Sequence, residues 1–175
     1  VVGHYNSGCA IPAAKVYARA PVAMVTPAAT NPEVTAQQLS TDWQGPKMVF
    51  RGCPTDDVQG SYAAEFAFKK LGKRRMALLH DKSPYGKGVA DETKKALNKN
   101  GLRETMYEAY NDTDKDFTAL INKMKQAKID IIVLGGYHTA GALIIKQARE
   151  QGLAAQMMGF DSLETVKRYS TVTMG

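Results

Sequence analysis

Two cysteines, three histidines and one tryptophan are spread over 175 residues. Cys9 and Cys53 are too few for a disulfide-dense scaffold and match no zinc-type spacing. They are either two free thiols or one disulfide; spacing does not choose, and free thiols are the expectation. His4, His80 and His138 never fall three or four residues apart, so no helical metal-ligand pair exists. No apolar run approaches the roughly 20 residues of a membrane span. There is no Gly-x-Ser-x-Gly elbow, which leaves a serine hydrolase with little support. No phosphate-cradling Gly-x-x-x-x-Gly-Lys-Ser/Thr occurs, and Gly86-Lys87-Gly88 is not followed by the third glycine of a dinucleotide loop. A phosphorylation receiver needs an acidic cluster around its acceptor, and Asp81 stands alone. The net charge is +6, yet Lys94, Lys95 and Lys99 sit beside Asp91 and Glu92. Such mixing describes solvated helix faces, not a nucleic-acid footprint. No catalytic residue, metal, cofactor or nucleic-acid partner is expected.

What is present is an ordinary globular composition, 44% hydrophobic and 23% charged. The plan is clearest in residues 75–101. Residues 76–79 form an apolar run without alternation, as in a strand covered on both faces. Residues 80–85 are a polar turn broken by Pro84. From Gly86 a helix is expected, with Val89, Thr93, Ala96 and Leu97 on one face and Gly101 past its end. Ligands of open α/β sheets bind beyond the carboxyl ends of strands, so residues 80–85 stand where sites form.

The same alternation runs through the chain. Val1-Val2-Gly3 resembles the end of a strand, with no leader before it, which suggests a piece of a longer protein. A helix is expected over residues 7–20 with Pro12 in its first turn, then a strand over 22–26 and a loop with two prolines. Thr30 or Asn31 caps a short helix over 32–38. A polar loop over 39–47 holds Trp43, and residues 48–50 form a third strand. A lobe boundary is placed after Cys53. The helix over 57–71 is expected to turn Val58, Tyr62, Ala63, Phe66 and Ala67 inward. Further strands fall at 105–110, 130–134 and 156–158. A helix headed by Asp114 or Asp116 carries Phe117, Leu120, Ile121 and Met124 on one face, and another spans 139–151. A short helix over 163–169 and a stub over 171–174 close the chain. Strands alternating with helices over short connections predict doubly wound parallel sheets of right-handed βαβ units.

The strand ends share a chemistry. Tyr5-Asn6-Ser7 and Pro27-Ala28-Ala29-Thr30 offer hydroxyls and helix N-termini, which suit a carboxylate. Tyr85, Gly136-Tyr137-His138 and Phe160-Asp161 offer aromatic rings and one acid, which suit an ammonium. Taken singly, Ser7, Thr30 and Tyr85 read as ordinary polar caps. Together they describe a receptor for a zwitterion.

Five segments in order carry a resemblance: Gly3-His4-Tyr5-Asn6-Ser7, Pro27-Ala28-Ala29-Thr30-Asn31-Pro32-Glu33, His80-Asp81-Lys82-Ser83-Pro84-Tyr85-Gly86-Lys87-Gly88, Asp114-Lys115-Asp116-Phe117-Thr118-Ala119-Leu120, and Gly135-Gly136-Tyr137-His138. They are similar to the periplasmic branched-chain amino-acid binding proteins, the substrate-binding subunits of ABC importers. The resemblance implies the type I fold of two Rossmann-like or flavodoxin-like lobes that trap an amino acid by hinge closure. Residues 1–53 would be part of lobe 1, left incomplete, and 54–175 most of lobe 2. It further implies that Ser7, the backbone of Ala28, and Thr30 hold the ligand from the first lobe. Tyr85 and Tyr137 would close over it from the second, with Asp161 taking the ammonium.

There are departures from the family pattern. Asn6 stands where many members have a disulfide cysteine, so Asn6 and Tyr5 are expected near the ligand side chain. Asp161 is one methylene shorter than the glutamate of some members. The chain is roughly half a member's length, and residues 166–175 match poorly. Exposed edges and apolar faces of the partial lobe then favour self-association. The expected function is a non-enzymatic amino-acid receptor serving a membrane ABC permease, periplasmic or membrane-anchored outside the cytoplasm. A ligand-sensing domain of a receptor or regulator on the same fold is the alternative, and a flavodoxin-like enzyme a third reading.

Overall fold

The computed structural model describes residues 1–166. They divide into two compact units, one of Val1–Val58 and one beginning at Gln59.

In the first unit, helix α1 (Ser7–Arg19) leads to strand β1 (Met24–Thr26). A short helix, α2 (Glu33–Ala36), and a 3-10 turn (Gln37–Leu39) lead to β2 (Val49–Arg51). β1 and β2 pair in parallel, and Val2 bridges the other edge of β1 at Val25. Ala10, Ala14, Met24, Ala29, Val34 and Val49 form the core between the helices and one face of this pair. The other face carries Val2, Val25 and Phe50, all exposed. Parallel sheets are ordinarily covered on both faces, so this one has an unburied apolar side.

Helix α3 (Asp56–Glu65) runs on through a π-helical turn (Phe66–Lys70). The second unit then builds β3 (Met76–His80), α4 (Pro84–Lys99), β4 (Met106–Ala109), α5 (Thr118–Gln126), β5 (Ile131–Gly135), α6 (His138–Glu150) and β6 (Gln156–Gly159). A 3-10 segment over Asp161–Val166 follows. The four strands form one parallel sheet in the order β4-β3-β5-β6. The chain therefore winds outward from β3 in one direction and from β5 in the other, the doubly wound arrangement. β3 and β5 are buried along their whole length because helices cover both faces. Alternation then sorts their side chains. Ala77, Leu79, Ile132 and Leu134 meet Phe117, Ile121, Met124 and Ile144 on one side. Met76, Leu78, Ile131 and Val133 meet Leu97, Ala64 and Ala67 on the other. Each fully buried Leu or Ile contributes about 1.5–3 kcal/mol, so these layers hold the sheet and set where its strands end.

Several expectations need correction. Pro12 lies in the second turn of α1, not the first. α4 begins at Pro84, because the Ser83 hydroxyl accepts the Gly86 N–H at 2.9 Å and Pro84 takes the first helical position. The turn is thus shortened and Tyr85 is helical and buried. Along α3 and its π-helical continuation the inward face is small: Ala63 and Ala67 are buried as expected, with Ala64 beside them, but Tyr62 is 72% and Val58 56% exposed, and Phe66 is exposed. Gly60 explains this. A Cβ there would stand 2.6 Å from the Thr93 backbone nitrogen, so α3 lies too close to α4 for large side chains on that face. Near the end of the chain, a 3-10 segment replaces the start of the helix expected over 163–169. Residues 167–169 and the stub over 171–174 lie outside the described residues.

Candidate functional site

The first unit places its polar groups where β1 ends and α1 begins. Thr26, the last residue of β1, donates its hydroxyl proton to His4 O at 2.8 Å. The same oxygen accepts from Ala29 N at 2.9 Å and Ala28 N at 3.3 Å. This local side-chain turn bends the chain after the strand and half-buries Ala28. Ser7 opens α1, is buried, and accepts the Asn31 N–H on Oγ at 3.2 Å. A serine oxygen used as an acceptor keeps its own proton to give. Asn31 Oδ1 accepts from Glu33 N at 2.9 Å and so heads α2. Thr30 is 1% exposed, yet its Oγ1 has no hydrogen-bond partner among the described residues. A buried hydroxyl without a partner costs about 1–3 kcal/mol, which makes it a place for an acceptor not supplied by the chain. Asn6 is exposed at the N-cap of α1; its carbonyl, not its side chain, accepts from Cys9 N and Ala10 N. Tyr5 is exposed as well. Cys9 and Cys53 are not joined by a disulfide.

The second unit places its groups at the topological switch point, beyond the carboxyl ends of β3 and β5, where winding reverses. After β3, Asp81 accepts on Oδ1 from Ser83 N at 3.0 Å and from Ser83 Oγ at 2.6 Å. The turn therefore drives directly into α4, and Tyr85 lies in that helix's first turn. After β5, Gly136 has φ +154, and a Cβ there would stand 2.1 Å from Tyr110 Oη, so only glycine fits. Tyr137 follows, half-buried, with its ring centroid 5.4 Å from that of Tyr85 and the planes 35° apart. After β6, the exposed Asp161 accepts the Tyr85 hydroxyl proton on Oδ1 at 2.7 Å. Ser162 Oγ lies 2.9 Å from the same phenol and donates to Gly136 O at 2.6 Å. Burial above all raises the Tyr85 phenol above its ordinary value; the Ser162 hydrogen bond acts the other way, and the hydrogen bond to Asp161 and its charge add to the rise. Tyr85 is thus a fixed donor, and Asp161 is a carboxylate at the rim of two rings.

The structure brings Tyr85, Tyr137 and Asp161 into one cluster in the second unit. It places Ser7, Ala28 and Thr30 on adjoining segments of the first, with Asn6 beside them. Sequence reasoning missed Ser162, Thr26 and the Asp81–Ser83 pair. A Thr ahead of Pro27 and an Asp-x-Ser-Pro string are readable turn signals; Ser162 has no such signal. Among the described residues, no group of three His, Cys, Asp or Glu side chains is arranged to hold a metal.

The chain matches, over residues 1–169, the family described as periplasmic binding protein. The Leu/Ile/Val-binding protein homolog 1 of Brucella suis is 46% identical over 163 residues, which are 93% of this chain and 42% of that protein. The solved leucine-binding protein of Thermotoga maritima superposes with a TM-score of 0.84 at 30% identity, over 95% of this chain and 46% of its own. The branched-chain amino acid transporter substrate-binding protein of Streptococcus pneumoniae, solved with isoleucine, gives 0.82 at 28%, over 96% and 46%. The chain therefore spans less than half the length of these relatives. A doubly wound parallel sheet with polar groups gathered beyond its strand ends, matched along nearly the whole chain, makes this protein a member of the periplasmic binding protein family.

Proposed function

We propose that this chain is part of the substrate-binding component of an ABC importer. Its ligand is an amino acid, branched-chain or closely related, taken up between two lobes by hinge closure; residues 1–53 belong to the first lobe and 54–175 to the second. Ser7, the Ala28 backbone and Thr30 hold the carboxylate and part of the amino group. Tyr85 and Tyr137 cover the ligand, Asp161 pairs with the ammonium, and Asn6 borders its side chain. The role is binding, without catalysis or cofactor. The partner is a membrane permease, and the location is periplasmic or anchored outside the cytoplasm. No described helix is long and apolar enough to cross a membrane.

The observation that carries this reading is the buried Thr30 hydroxyl, which has no partner among the described residues. A ligand carboxylate accepts its proton and removes the cost of leaving it unpaired. In the second unit an ammonium completes the reading, because a charge taken out of water must be paired and Asp161 is the acid at the rings. Calorimetric titration of the polypeptide carrying this chain with L-leucine, L-isoleucine, L-valine, γ-aminobutyrate and acetate tests it. Binding of at least one α-amino acid, and none of acetate, is expected. Absence of heat with every amino acid overturns it. We also propose that the 175-residue chain alone self-associates through the face bearing Val2, Val25 and Phe50. Sedimentation should show a dimer or larger that Phe50→Lys dissociates.

A further inference from the structure

We infer that Arg51 is a positioning residue for the ligand loop, a guanidinium clamp that fixes Thr30 without touching the ligand. This inference rests on the binding function proposed above. Arg51 ends β2 and is half-buried. Its Nη1 donates to Ala29 O at 3.1 Å and to Asn31 O at 2.8 Å, the residues on either side of Thr30. Its Nη2 donates to Thr35 Oγ1 at 2.6 Å, which ties the clamp to α2. The remaining carbonyl, Thr30 O, accepts from Asp56 N at 3.0 Å. Three successive carbonyls are thus held from outside the loop, two of them by one side chain.

The amides of the same loop are held from the opposite side of the sequence. Ala29 N donates to Thr26 Oγ1 and Asn31 N to Ser7 Oγ. Held at the carbonyls of residues 29–31 and at the amides of Ala29 and Asn31, the loop fixes where the Thr30 Cβ stands. Its buried hydroxyl, without a partner among the described residues, is thereby kept in place for a carboxylate. Lysine cannot replace this arrangement. An ammonium is a compact point donor, whereas the planar guanidinium reaches two carbonyls and a hydroxyl at once. Burial works against the cation and lowers its pKa, while Cys53, Asp56 and Asp57 support it.

The test uses the intact chain with Arg51→Met, Arg51→Lys and Thr35→Val, each measured twice: by L-leucine titration and by amide hydrogen exchange. Arg51→Met should weaken leucine about tenfold and Arg51→Lys several-fold, the size expected when charged hydrogen bonds are lost. Thr35→Val, nearly isosteric, should weaken it about two- to threefold, and keeps the test intact if Arg51→Met does not fold. Exchange at the Ala29 and Asn31 amides should accelerate in all three, while Met24 N, bonded to Met48 O inside the sheet, stays protected. Unchanged exchange at Ala29 and Asn31 overturns the clamp. Equal acceleration at Met24 also overturns it, since Arg51 would then be supporting the unit as a whole. Faster loop exchange with unchanged leucine affinity overturns the positioning role. If the unaltered protein does not bind leucine or another amino acid, the proposed function falls, and the exchange data still decide whether Arg51 holds the loop.

Discussion

Replacing Tyr85 by phenylalanine removes one oxygen at the centre of the second unit's cluster. Two contacts go: the 2.7 Å bond to Asp161 and the 2.9 Å contact with Ser162. A bond to a charged acceptor is worth about 1.5–3 kcal/mol and a neutral one about 0.5–1.5. The upper ends do not apply here. Asp161 is exposed and rehydrates when released, and Ser162 keeps its bond to Gly136 O. No buried group is orphaned, so the net cost is about 1–2 kcal/mol, or roughly 4–8 °C in Tm for a unit of this size. The assay is urea unfolding followed by far-UV circular dichroism for Tyr85→Phe, Asp161→Ala and the double variant. Their coupling should be about 1 kcal/mol. A coupling within the roughly 0.3 kcal/mol of ordinary additivity would show that the phenol and carboxylate act independently and would refute the cluster as a unit.

Three further outcomes are expected. His80 Nδ1 accepts from Lys82 N at 3.1 Å, so the neutral ring holds the turn. Burial first, then Lys87, lowers its pKa below 6.5, with Lys82 adding and Asp91 and Asp81 opposing. Between that lowered value and 6.5 the unfolded chain binds a proton that the folded chain does not, so stability falls as pH drops through this window. His80→Asn, which keeps an acceptor but does not titrate, should flatten the dependence of the urea midpoint between about pH 5 and 7. Gly86→Ala should destabilise the second unit by more than about 3 kcal/mol, because its Cβ would lie 2.2 Å from Asp81 Oδ1 and 2.7 Å from Gly135 O; a Tm within 2 °C of the unaltered protein, roughly half a kcal/mol, contradicts this close approach. Tyr137→Ala should weaken amino-acid binding by about 1 kcal/mol or more while Lys99→Ala leaves it unchanged, and equal affinities by calorimetry would contradict the site.

Local sequence went furthest where local physics is sufficient. The β3–turn–α4 unit was legible because residues 76–79 carry no polar interruption and Val89, Thr93, Ala96 and Leu97 repeat at helical spacing; all four are buried. The α5 face was legible for the same reason, with Phe117, Ile121 and Met124 buried and Leu120 partly so. The Asp116 side chain accepts Thr118 N at 2.8 Å at the head of that helix. On α3 and the turn that continues it the same reasoning succeeded in part. Of the expected inward residues, Ala63 and Ala67 are buried, whereas the larger Val58, Tyr62 and Phe66 are exposed. The close approach of α4 at Gly60 leaves room for the alanines alone, and no local pattern encodes that approach.

The order of strands and helices, the parallel winding and the set of strand ends that carry polar chemistry were determined by the sequence alone, since each follows from spacing of 2 or 3.6 and from turn residues. Tertiary structure decided which of those polar groups are already engaged. Arg51 reads as a strand terminus, and only folding brings it across to the carbonyls of Ala29 and Asn31. Tyr85 and Asp161 stand 76 residues apart and become partners through the pairing of β3, β5 and β6. Thr30 taken singly is an ordinary loop threonine in the sequence; burial without a partner among the described residues, which depends on every neighbour at once, is what singles it out.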